Sequence, residues 1–149
     1  MPQSLSIPLG ADHAGFDLKE EVINHLEQNG YQIRDYGTNS RDSVDYPDYV
    51  HPIAEAITDG GYNFGILICG SANGVAMSAN KHSNIRAAIC WQEEITRLAR
   101  QHNDANIICL PSRFITVEEA LSMVDVFLST PFEGGRHQRR VDKIAYAGE

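Results

Sequence analysis

Gly65-Ile66-Leu67-Ile68-Cys69-Gly70-Ser71-Ala72-Asn73-Gly74 joins a short apolar run to a turn of small and polar residues. An unbroken run of this length reads as a strand buried on both faces. The turn can open a helix and aim several backbone N–H groups at one anion. Four further apolar runs flank this one, at Leu5–Leu9, Tyr31–Tyr36, Ile85–Cys90 and Asn106–Leu110. Amphipathic segments between them predict helices at about 15–29, 47–59, 73–82, 92–102 and 116–129, with a sixth starting near Arg136. Gly30 suits the position just after a helix, and Pro47 a first helical turn. Alternating strands and helices predict an α/β fold, a parallel sheet with helices on both faces. Pro8 conflicts with this locally: it lacks an N–H, so the strand breaks there or its pairing avoids that position.

The chain has 149 residues, 42% hydrophobic and 21% charged, which suits a single globular domain over 1–149. Its net charge of −8 supplies no basic field for nucleic acid. An anionic ligand would need a local basic pocket. No apolar run is long enough for a membrane helix, and Met1-Pro2-Gln3-Ser4 does not read as a leader. Cys69, Cys90 and Cys109 are odd in number and fit no zinc spacing, so no metal is expected, and reduced thiols in a cytoplasm are the simplest reading.

In open parallel sheets ligands sit beyond the carboxyl ends of the strands. The first strand ends in Gly10-Ala11-Asp12-His13-Ala14-Gly15, an acid beside an imidazole. Asp12 there is either a helix cap or a functional group. Cys69 stands at the entrance of the Gly/Ser/Asn turn, which Cys90 and Cys109 lack. It reads either as a small core residue or as a reactive thiol. The turn is no nucleotide-binding P-loop, because Val75 stands where that motif repeats its glycine. Gly-x-G-x-x-Gly is also missing, and a cysteine-phosphatase loop would want arginine at position 75. Arg100-Gln101-His102-Asn103-Asp104 is a site or a solvated helix end. Arg136-His137-Gln138-Arg139-Arg140 opens a helix with cations, against the macrodipole. A bound phosphate explains that better than local stability does, and a solvated basic face is the alternative.

Taken in order, several segments resemble the ribose-5-phosphate isomerase B family, which also contains galactose-6-phosphate and allose-6-phosphate isomerases. They are Gly10–Phe16, Asp45-Tyr46-Pro47, Ile68–Val75, Ala79-Asn80-Lys81, Arg97–Asn106, Ser112-Arg113 and Phe132–Val141. They cover essentially the whole chain. The resemblance implies a three-layer α/β/α sandwich with a five-stranded parallel sheet, Rossmann-like. It also implies no cofactor, and a homodimer or higher oligomer whose sites use residues of both subunits. In one branch of the family the base is a cysteine, in another a glutamate six residues later. Cys69 and Val75 place this chain with the cysteine branch. The family often has glycine where Ala72 stands, so a left-handed turn would be strained here.

The expected activity is interconversion of ribose 5-phosphate and ribulose 5-phosphate through an enediolate, a step of the pentose phosphate pathway. Cys69 is the expected base, and Gly70, Ser71, Ala72, Asn73 and Gly74 the expected cradle for the enediolate oxygen. His102 is assigned to ring opening and Asp12 to orienting a hydroxyl, both mainly from the resemblance. Ala11, Tyr46 and Asn103 are expected to line the sugar site. Arg136 and Arg140 are expected to hold phosphate, with His13, His137 and Arg113. A non-catalytic sugar-phosphate binder would have no use for Cys69, and a dithiol enzyme would want a second cysteine nearby in sequence. An isomerase of a six-carbon sugar phosphate differs only in pocket depth.

Overall fold

The computed structural model describes residues 5–146. The Met1–Ser4 stretch read above for a leader lies outside them. The strands are β1 (Ser6–Ala11), β2 (Gln32–Asp35), β3 (Gly65–Cys69), β4 (Ala87–Ile89) and β5 (Ile107–Pro111). The helices are α1 (Phe16–Gln28), α2 (Pro47–Thr58), α3 (Asn73–Ala79), α4 (Glu93–Gln101), α5 (Val117–Ser129) and α6 (Arg136–Asp142), and a single 3-10 turn, His13–Gly15, precedes α1. The five strands form one parallel sheet in the order β2-β1-β3-β5-β4. No helix among the described residues is long and apolar enough to cross a membrane.

The side-chain period of two divides the sheet's apolar residues between two cores. Ile7, Leu9, Ile66, Ile68, Ile108 and Leu110 pack on one face with α1, α4 and α5. Leu67, Cys69, Ile107 and Cys109 pack on the other with α2 and α3. The expected three layers are therefore present. Only β1, β3 and β5, at the sheet's centre, are buried on both faces. Edge strand β2 is largely exposed, so its apolar run overstated its burial.

Pro8 sits where the ladder does not need it. Ala11 N–H bonds Gly37 O toward β2, whereas Asp12 N–H bonds Ile68 O toward β3. Even-numbered residues of β1 thus face β3, whose pairing begins at Leu9↔Ile66, beyond Pro8. Gly10 lets α2 approach, because a Cβ there would lie 2.7 Å from Ile53 Cδ1 and 2.8 Å from Tyr49 O.

α3 and β4 are shorter than the sequence suggested, and one side chain accounts for both. Asn80 leaves the helix and bonds the edge of β4, donating to Ala87 O at 3.0 Å and accepting from Ala87 N–H at 2.8 Å. That satisfies backbone groups which an open edge would expose. Lys19 is fully buried, which its charge does not suggest. Its ammonium meets Asp35 at 2.9 Å and ties α1 to the end of β2. Breaking such a pair is costly because the remaining charge stays buried.

Candidate active site

The carboxyl ends of β1, β3 and β5 meet at one edge. Asp12 N–H bonds Ile68 O, Ser112 N–H bonds Cys69 O at 2.9 Å, and Arg113 N–H bonds Gly70 O at 3.1 Å. Ser112 Oγ donates to Ala14 O at 2.8 Å, which draws the β1 exit onto the β5 exit. Gly15 permits this closeness, since a Cβ there would lie 2.6 Å from Ile68 O. Asp12 caps the 3-10 turn, accepting Ala14 and Gly15 N–H on Oδ1 at 3.0 and 3.2 Å. The capping reading therefore holds, and among the described residues the other carboxylate oxygen has no partner.

These exits enclose a cavity of about 510 Å³ lined by Asp12, His13, Ala14, Tyr46, Cys69, Gly70, Ser71, Gly74, Arg113 and Phe114. Its shape depends on two glycines. A Cβ at Gly70 would lie 3.1 Å from Arg113 Nη1, and one at Gly74 would overlap the Tyr46 ring. Ser71 Oγ accepts from Asn73 N–H at 3.3 Å and leaves its own hydrogen for a ligand. The Asn73 amide is thereby engaged, so not every amide of the turn is a free donor.

Ala72 takes φ 67°, ψ −6°, the left-handed conformation the sequence anticipated at a residue other than glycine. Its methyl is fully buried, and Ala11 is likewise in the core with both backbone groups paired to Gly37 and Thr38. Asn73 lines a neighbouring depression with Met77 and Asn80. Expected sugar contacts from Ala11, Ala72 and Asn73 are thus not offered by side chains lining the cavity.

The three thiols differ in what they face. Cys69 ends β3 and opens onto the cavity. Cys90 and Cys109 are fully buried. Burial pushes the Cys90 thiol up to about 11. Burial, then the neighbouring Cys90 and Cys69 thiols, raise Cys109 well above the usual range. Both are therefore neutral near pH 7.

The remaining expected residues lie elsewhere. His102 follows α4, and Asn103 leads toward the amino end of β5. Cys69 pairs with Pro111 at that strand's carboxyl end. At ~3.3 Å per residue, β5 alone separates the two edges by about 13 Å. There His102 stacks on His137 at 4.1 Å between centroids and 13° between planes. Glu133 Oε1 lies 3.5 Å from His137 Nε2 and 3.9 Å from His102 Nε2. Desolvation, then the neighbouring His102 and Arg136 charges, lower the His137 pKa, against a smaller opposing pull from Glu133. The Arg136 and Arg140 side chains extend from exposed positions on α6. Within one chain these residues and Cys69 do not share a cavity.

His102, Glu133 and His137 bring their ligand atoms within 4.8 Å of one another. Imidazole lone pairs lie in the ring planes, however, and two nearly parallel rings aim theirs side by side rather than at one ion. Arg100 is structural: its guanidinium donates to Ala105 O, Thr130 O and Asp104, and lies over Phe64. Phe114 escaped the sequence reading, and Ser112 entered it only as part of the resemblance, with no role assigned. The signal available was position, since both follow β5 at the edge where β1 and β3 end.

Residues 7–144 match the family described as Ribose/Galactose Isomerase. The chain is 44% identical to ribose-5-phosphate isomerase B of Escherichia coli K12, over 93% of each chain. It is 46% identical to a probable ribose-5-phosphate isomerase B of Mycoplasma pneumoniae, over 100% of this chain and 99% of that one. Among solved structures, a ribose 5-phosphate isomerase of Thermotoga maritima superposes with TM-score 0.92 at 49% identity, covering 93% of this chain and 96% of that one. Ribose-5-phosphate isomerase B of Mycoplasma genitalium, solved with bound ribulose 5-phosphate, gives TM-score 0.89 at 44% identity, covering 95% and 94%.

Proposed function

This chain belongs to the ribose/galactose isomerase family, and we propose that it interconverts ribose 5-phosphate and ribulose 5-phosphate with Cys69 as the proton-moving base. It is an aldose–ketose isomerase. The observation that carries the role of Cys69 is its position: of the three cysteines it alone lines the cavity, beside Asp12, Ser71 and Arg113.

The chemistry follows from that placement. Once the sugar is open, the Cys69 thiolate takes the C2 proton. The electrons of that C–H bond form the C1–C2 double bond, and negative charge rises on O1. Ser71 Oγ–H and the unengaged amides of the turn stabilise that charge, each such donor commonly contributing ~2.7–4 kcal/mol in the transition state. Transfer of a proton from O2 to O1, and return of the Cys69 proton to C1, gives the ketose. Asp12, with one carboxylate oxygen free, orients a sugar hydroxyl.

The ring-opening His102 and the phosphate-holding Arg136 and Arg140 act across a homodimer, each protomer completing the cavity of its partner. Two features support this reading. The basic start of α6 is remote from the cavity of its own chain, and the apolar side chains of Met77, Trp91 and Phe114 are exposed. Three free thiols suit the reducing cytoplasm, where the pentose phosphate pathway would use the reaction.

A coupled assay with five- and six-carbon aldose phosphates tests the activity. Ribose 5-phosphate should give the highest kcat/KM, and preference for a six-carbon substrate would overturn the assignment. Mixing Cys69→Ala with His102→Ala protein tests the shared site. Each is strongly impaired alone, and random pairing should restore about a quarter of parental turnover. No recovery in demonstrably mixed dimers would mean that each chain holds its own complete site.

A further inference from the structure

We propose that the backbone amide of Val44 locks His13 in the tautomer that carries its hydrogen on Nε2, making His13 a fixed donor to a substrate oxygen and excluding it as a base. The inference rests on the reading that the cavity takes a sugar phosphate. Val44 N–H donates to His13 Nδ1 at 3.2 Å. An N–H needs a lone pair to donate to, so Nδ1 is unprotonated and the neutral ring's hydrogen is on Nε2. Turning the ring over would present Cδ2–H to the Val44 amide and leave the contact without an acceptor. Among the described residues Nε2 has no protein partner, and the ring lines the cavity.

The amide is held in place from both sides. Upstream, the segment after β2 is stitched to β1 by Tyr36 N–H to Leu9 O, Ala11 N–H to Gly37 O and Thr38 N–H to Ala11 O. Asp35 accepts Gly37 N–H at 2.8 Å and is itself gripped by the buried Lys19. Downstream, Tyr46 lies against Gly74 and Pro47 opens α2. Val44, between these anchors, is half-buried. Its N–H is therefore a positioning group, which acts on substrate only through His13.

A phosphate or carbonyl oxygen only accepts hydrogen bonds, so a ring with its hydrogen fixed on Nε2 suits such an oxygen. The same arrangement leaves His13 no free lone pair. Proton abstraction at this cavity then falls to Cys69, with Asp12 as the other acceptor.

The full-length protein, labelled with 15N at histidine, reports the tautomer directly through long-range 1H–15N correlations, with His13→Gln assigning the resonance. The expected result is a single Nε2–H form in the parent. Val44→Ala keeps the amide and should keep that signal, whereas Val44→Pro removes it and should give mixed tautomers with a severalfold higher KM. His13→Ala should raise KM by roughly ten- to a hundredfold. His13→Gln, which can place an N–H near the Nε2 position, should recover part of that loss. An Nδ1–H tautomer in the parent overturns the proposal, and so does a Val44→Pro protein whose tautomer is unchanged. If Val44→Pro fails to fold, the parent spectrum and the Gln/Ala pair still decide. None of the spectra needs turnover. An Nε2–H ring whose resonance moves on adding inorganic phosphate, in a protein that does not isomerise ribose 5-phosphate, would leave this inference standing and remove the isomerase reading.

Discussion

Gly74→Ala should separate activity from stability. A Cβ at position 74 would lie 2.5 Å from Tyr46 Cε1 and 2.9 Å from Cε2, where ordinary contact begins near ~3.5 Å. The ring must therefore move by about 1 Å. It can do so without loss of a buried group, since Tyr46 is 38% exposed. The helix gains meanwhile, because alanine is better than glycine by roughly 0.5–1 kcal/mol inside an α-helix. Net stability should stay within about 1 kcal/mol of the parent, a melting shift of no more than ~4 °C for a chain of this size. Activity should not stay. Tyr46 and Gly74 both line the cavity, and a displacement of ~1 Å at a positioned site can cost on the order of a hundredfold. Thermal melts and a coupled assay on the same preparation give both numbers. A kcat/KM within twofold of the parent, in a folded protein, would refute the claim that this contact shapes the substrate site.

Other perturbations address separate parts of the account. Arg140→Ala should leave stability within ~0.5 kcal/mol, as exposed substitutions do, while KM rises by roughly ten- to a hundredfold through loss of a charge-assisted bond to phosphate. Parental KM would place the phosphate grip elsewhere. Ala72→Gly should be close to neutral: relief of ~1–2 kcal/mol of left-handed strain is offset by a lost buried methyl, ~0.8 kcal/mol, and by glycine's entropy, ~0.5–1 kcal/mol. A change beyond ~2 kcal/mol in urea titration would contradict that balance. Alkali should destabilise the fold, because Cys90 and Cys109 have folded pKa values raised above their unfolded ones. Their contribution is complete below about pH 8.5 and declines by up to ~1.4 kcal/mol per pH unit for each thiol above it, for Cys90 until about pH 11. Cys90→Ala should flatten the fall, and an unaltered slope would show that Cys90 does not cause it.

Much of the fold was legible because periodicity reports burial directly. β1, β3 and β5 read as continuous apolar runs since both their faces are covered. Burial of β2 was overstated because Tyr31, Ile33 and Tyr36 are only partly buried and are interspersed with exposed Gln32, Arg34 and Asp35, and sequence does not order strands in a sheet. The ends of α3 and β4 were misplaced because Asn80 makes a tertiary bond to Ala87, seven residues on. At the site, the β3 turn identified Cys69 over the other cysteines, since a strand exit is a local feature. The division of the expected site residues between two edges of the sheet was not local. It follows from parallel pairing, which sets His102 at the start of β5 and Cys69 at its end. Ser112 and the Val44 amide act through contacts to the distant Ala14 and His13, which local sequence does not show, and Phe114 was marked only by its place just after β5.

The role of Cys69 is tested most directly by turnover of Cys69→Ala. If Cys69 Sγ moves the C2 proton, kcat should fall by roughly 10²–10⁴-fold, the usual worth of a positioned acid or base. Cys69→Ser should be nearly as poor, since a hydroxyl is scarcely ionised near neutral pH. Affinity for a non-reacting sugar-phosphate analogue should survive in both, because the arginines and the turn amides remain. Near-parental turnover by folded Cys69→Ala would contradict the thiolate mechanism and leave Asp12 or His102 as the base.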